Sequence, residues 1–78
     1  MTLWTLTRDT AGEITALRLG GAARRRLMEL GFTEGERVHK SLQGRKIAAY
    51  QVRGTLVALR RADAERISVL PREDGPWA

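Results

Sequence analysis

Cysteine is absent from the 78 residues. That removes disulfides, thiolate metal sites and any Cys–His nucleophile at once. Imidazole is nearly absent too, with His39 the one histidine. A Ser–His–acid triad would have to use it, yet only Lys40 and Ser41 follow and no G-x-S-x-G elbow exists. His39 therefore reads as a partly exposed strand residue, and no catalytic residue is assigned. Ferrous sites need several converging imidazole or carboxylate ligands. One histidine and scattered acids predict no metal site and no cofactor. The phosphate-loop pattern is missing as well. Gly20-Gly21 reads as a turn ahead of a helix, although a helix N-terminus can hold an anion.

Aromatics are scarce at 5%, namely Trp4, Phe32, Tyr50 and Trp77, widely separated. Small barrels that bind nucleic acid stack bases on exposed aromatics, so this scarcity weighs against that class. No apolar run approaches the ~20 residues that span a bilayer. The opening Met1–Thr5 has neither the charged n-region nor the long apolar h-region of a secretory signal. A cytosolic location is expected.

What is present is a basic, moderately apolar chain long enough for one domain. Hydrophobic residues make up 42%, ordinary for a folded protein. So short a chain buries only around 60% of its unfolded surface, which favours an economical architecture over a layered enzyme. The net charge is +5, from 14 Lys plus Arg against 9 Asp plus Glu. That balance suits an acidic partner without choosing among protein, membrane and nucleic acid.

Glycines divide the chain into short segments. Leu3–Thr7 reads as an opening strand or extended arm, and Glu13–Leu17 as a second strand. Ala22–Leu30 is the best helix, with Ala23, Leu27 and Leu30 on one face and an Arg25–Glu29 pair on the other. Gly31 sits where a left-handed residue ends a helix, and Phe32 is placed to fold back over the last turn. Glu36–Leu42 turns extended. Ile47–Val52 and Thr55–Leu59 flank Arg53-Gly54, a spacing that predicts a tight hairpin with positive φ at Gly54. Arg61–Arg66 suits one helical turn, and Ile67–Leu70 a closing strand stopped by Pro71. Residues 1–71 thus form the expected domain and 72–78 a loose tail carrying Trp77. About five strands, with a short helix between the second and third, suggest a mainly β, SH3-like barrel.

Two blocks carry a family resemblance. Arg26-Leu27-Met28-Glu29-Leu30-Gly31-Phe32 followed by Glu34-Gly35-Glu36-Arg37-Val38 resembles the FeoA pattern of a helix ending in RLxxLG and entering a strand through xxG. Tyr50 to Arg60, followed by Ala64-Glu65-Arg66-Ile67-Ser68-Val69, resembles that family's glycine-turned hairpin, ALR, alanine-containing turn and I-x-V closing strand. The resemblance covers roughly residues 3 to 70. It departs at Glu34 and at Arg45-Lys46, where relatives often carry proline. It implies a non-enzymatic cytosolic accessory protein of bacterial ferrous iron uptake, regulatory through the cytosolic G-protein domain of the FeoB transporter. The alternative is a basic barrel that binds nucleic acid.

Partner contacts are expected at Arg24, Arg25, Met28, Phe32, Arg45 and Lys46. Arg24-Arg25-Arg26 reads either as a solvated helical face or as a docking patch for an acidic surface. Met28 and Phe32 read either as core or as a half-exposed recognition groove, and methionine adapts well to irregular partners.

Overall fold

A computed structural model of the protein describes residues 1–72. The expected tail and its Trp77 lie outside the described residues, apart from Arg72, which ends the last strand. The elements are β1 (Ala11–Leu17), α1 (Gly21–Leu30), β2 (Arg37–Gln43), β3 (Ile47–Val52), β4 (Thr55–Arg60), α2 (Arg61–Ala64) and β5 (Ile67–Arg72). All strand pairs are antiparallel, in one five-stranded sheet of order β4-β3-β2-β1-β5. The protein is mainly β and SH3-like, with one ten-residue helix.

Local chemistry accounts for α1 and the hairpin. Gly31 adopts φ 111°, its N–H donates to Met28 O, and the Phe32 N–H donates to Leu27 O. This paired closure uses carbonyls that would otherwise be left without partners, and it folds Phe32 fully into the core. Phe32 meets Tyr50 edge-on, with ring centroids 6.5 Å apart. The β3–β4 turn has φ 50° at Arg53 and 75° at Gly54, so both central residues, and not Gly54 alone, are left-handed. Two positive φ angles define the type I′ turn, whose twist matches the strands it joins.

Two β-bulges decide which side chains face the core. In β2 the register skips between Lys40 and Leu42. Val38 and Lys40 are fully buried, while Leu42, past the bulge, is exposed. In β1 the register skips between Ile14 and Ala16, and both Ile14 and Leu17 reach the core despite an odd spacing. An extra residue reverses the alternation, which simple period-two counting does not foresee.

Five expectations need correction. Leu3–Thr7 is not a strand: Thr2 bridges Ser68, and the Leu6 N–H turns back onto Thr2 O. With that segment a turn, α1 falls between the first and second strands. Pro71 does not stop β5, since Gly12 pairs with Pro71 and Ala11 with Arg72. β5 ends the ladder order, and a missing N–H is tolerated on an edge. On α1 only Leu27 is buried, Ala23 and Leu30 being exposed. Among the described residues the Arg25–Glu29 ion pair is not formed.

Candidate interaction surface

The N-terminal turn is fastened to the sheet from beneath. Met1 O accepts from the Val69 N–H, and the Leu3 N–H donates to Ile67 O. The Tyr50 hydroxyl donates to Leu3 O at 2.9 Å. The Lys40 Nζ donates to Trp4 O at 2.6 Å and to Gln43 Oε1 at 2.5 Å. It also lies 5.5 Å from the Trp4 ring centroid and 5.8 Å from that of Tyr50. Burial pushes the Lys40 ammonium below its ordinary pKa and the Tyr50 phenol well above its own. With its acceptors in place, Lys40 acts as a bolt on the turn that puts Leu3 and Leu6 in the core.

Among the described residues, open grooves outside this clamp take up most of the expected contact residues, in two groups. The first groove, about 500 Å³, is lined by Gly21, Arg24, Arg25, Met28, Glu29 and Thr33. It brings together Arg24, Arg25 and Met28 from the sequence reading. Their roles differ, however. The Arg24 Nη1 donates to Leu17 O at 2.9 Å, tying α1 to the end of β1. Arg25 and Arg26 are exposed, and Met28 is 40% exposed. Phe32 is fully buried, so it offers a partner no surface.

The second groove, about 1060 Å³, is lined by Arg45, Lys46, Ile47, Arg60, Arg61, Ala62 and Glu65. Arg45 and Lys46 fall here, apart from the helix residues with which they were grouped. The Arg61 Nε holds Glu65 Oε2 at 2.8 Å, and the Arg60 Nε lies 3.7 Å from Asp63 Oδ2. The Arg61 guanidinium also sits 5.3 Å from the Trp4 ring centroid. Ile47 presents an apolar side chain, half exposed, among these cations.

Among the described residues no three His, Cys, Asp or Glu side chains converge. Among those residues, too, no helix is long and apolar enough to cross a membrane.

A family model described as the FeoA domain matches residues 1–71. The chain belongs to the FeoA family. Its structure is similar to that of Stenotrophomonas maltophilia FeoA complexed with zinc, with 36% identity, a TM-score of 0.79 and 88% of each chain covered. That relative is described as a procaryotic SH3 domain protein, put forward as a bacterial ferrous iron transport activating factor. Chlorobium tepidum FeoA shares 29% identity, with a TM-score of 0.85 over 100% of this chain and 79% of that one. Iron(II) transport protein A from Clostridium thermocellum is 22% identical, with a TM-score of 0.84 over 88% of this chain. This chain spans 44% of that protein's length, and the likeness is one of fold. No curated protein matches the sequence.

Sequence reasoning missed Lys40 and Arg61 among the FeoA residues that organise the surface. A signal for Lys40 existed: Val38 and Lys40 are two apart on a strand, and residues two apart share a face. For Arg61 the i,i+4 spacing to Glu65 was a signal, but its contact with Trp4 depends on the folded N-terminal turn.

Proposed function

We propose that this protein is a non-enzymatic, cytosolic accessory factor of bacterial ferrous iron uptake, acting by docking onto the cytosolic G-protein domain of a FeoB-type transporter. The observation that carries the reading is FeoA membership across residues 1–71 in a domain whose described residues gather no metal-ligand cluster and present grooves instead. Residues 1–71 are the working domain in this reading. Arg25 and Met28 supply the exposed charge and the adaptable apolar contact at the α1 groove. Arg45 and Lys46 offer a second cationic point of attachment. Ferrous iron is the transporter's cargo, and we assign the chain no resident metal or cofactor, in contrast to the zinc of the Stenotrophomonas maltophilia relative.

The nucleic-acid alternative is weaker on the fold. Phe32 and Tyr50 are fully buried, and Trp4 is partly buried against Lys40 and Arg61. Among the described residues this leaves no row of exposed rings on which bases could stack.

Titration of the purified protein into the transporter's cytosolic domain, with and without guanine nucleotide at moderate salt, tests the proposal. Saturable binding is expected. Absence of binding in every nucleotide state overturns it.

A further inference from the structure

We propose that the free edge of β4 accepts an extended acidic segment of another protein as an added strand, its carboxylates lying in the groove of Arg45, Lys46, Arg60 and Arg61. The proposal needs no particular partner and stands apart from the transporter reading.

The first observation is the edge itself. β4 ends the ladder order, and among the described residues the backbone groups of Thr55–Leu59 bond only within the β3 ladder, while the Arg60 carbonyl opens α2. β5, at the other end, is covered along Ile67–Val69 by Met1–Leu3. The direction of the free groups on β4 follows from the hairpin. The type I′ turn at Arg53-Gly54 makes Val52 and Thr55 the first hydrogen-bonded pair. The register then runs unbroken from Val52↔Thr55 to Ile47↔Arg60. Alternation directs the backbone groups of Thr55, Val57 and Leu59 toward β3, and those of Leu56 and Ala58, with the Arg60 N–H, outward. Such a row of unpaired donors and acceptors is a template for another strand.

The second observation is charge. The groove at the C-terminal end of β4 is lined by four cations and one acid. Glu65 is held by Arg61, whereas Arg45 and Lys46 form no ion pair among the described residues. Arg60 belongs to both features, as the last edge residue and a groove wall. Ile47, its cross-strand partner, adds a half-exposed apolar contact. Edge and groove are therefore continuous, and the occupant that satisfies both is an extended chain with carboxylates. A second copy of this protein satisfies only the edge. Pairing β4 with β4 would join two chains of net charge +5 with no opposite charge gained.

The test uses the full chain and a synthetic peptide of about ten residues alternating glutamate with valine, the length of a long strand. Binding is followed by amide chemical shifts and hydrogen exchange. The expected result is saturable binding with slowed exchange at Leu56, Ala58 and Arg60. It should weaken about tenfold or more when alternate peptide amides are N-methylated, since each lost bond carries a modest net energy. Replacing glutamate by glutamine, or Lys46 and Arg60 by Glu, should weaken it further and blunt its salt dependence. Ala58→Pro should abolish edge protection while sparing the ladder, because proline is tolerated where the N–H faces solvent. Binding indifferent to N-methylation would reduce the effect to general attraction for polyanions and overturn the proposal. Self-association through β4 in sedimentation, or no binding, would overturn it as well.

Discussion

The Nζ of Lys40 donates to the backbone carbonyl of Trp4 at 2.6 Å, across 36 residues of sequence. A fully buried lysine without a carboxylate partner is an unusual way to hold a chain terminus. Here the cost of desolvating the ammonium is offset by two close acceptors and the faces of Trp4 and Tyr50. The arrangement makes the N-terminal turn part of the core, with Leu3 and Leu6 both buried.

The companion bond, Tyr50 Oη to Leu3 O, gives the first prediction. Tyr50→Phe keeps the edge-on contact with Phe32 and leaves a buried carbonyl without its donor. A loss of about 1–2 kcal/mol is expected from chemical denaturation. Amide exchange should quicken at Leu3 and Val69, whose N–H bonds fasten the same turn. An unchanged midpoint with unchanged exchange would show that the hydroxyl holds nothing.

Stability should depend on pH in two opposed limbs. The buried Lys40 has a folded pKa below its ordinary 10.5, so the unfolded chain holds that proton more tightly. Stability therefore rises with pH from the lowered value up to about 10.5. Tyr50 is shifted upward from 10.0 by burial, so the unfolded chain ionises first and stability falls as pH climbs past 10.0. Denaturation midpoints across alkaline pH should show the rise give way to a fall near pH 10. Lys40→Met should flatten the rising limb, and Tyr50→Phe should lessen the falling one.

Gly31 and Gly20 bracket α1 and should respond differently to a side chain. A Cβ at Gly31 would lie 3.1 Å from both Val52 Cγ2 and Arg53 Cδ, on a backbone with φ 111°. Gly31→Ala should cost about 1–3 kcal/mol, by strain and by disturbing the closure that buries Phe32. Gly20, the residue that caps the helix start, has an extended backbone, and a Cβ there would meet nothing within 4 Å. Gly20→Ser should be neutral or stabilising by a few tenths of a kcal/mol. Thermal unfolding of the pair separates the two.

Legibility in the sequence followed how local the physics was. Gly31 with Phe32, the Arg53-Gly54 hairpin and the single turn after Arg60 each depend on residues a few positions apart, and each appears where its pattern indicated. The bulge beside Lys40 does not announce itself in composition, yet it sends Leu42 outward and leaves Lys40 inside. Residues 2–6 close a local turn, through Leu6 N–H on Thr2 O and the Thr2–Thr5 bonds. What holds that turn in the fold was hidden, since those bonds run to Tyr50, Ile67 and Lys40. Of the expected contact residues, Arg24, Arg25 and Met28 share one groove and Arg45 and Lys46 another. Phe32 was separable only by its burial.

A binding titration of the native chain and of Arg25→Glu/Met28→Asp against the cytosolic G-protein domain of the transporter decides whether the proposed contact exists. Both residues are exposed, so the variant should fold, and matching denaturation midpoints would confirm that. Saturable binding by the native chain is predicted, with a loss of about tenfold or more in the variant, as for a contact at the centre of an interface. No binding by the native chain in any nucleotide state would contradict the claim, and equal binding by both chains would remove the α1 groove from it.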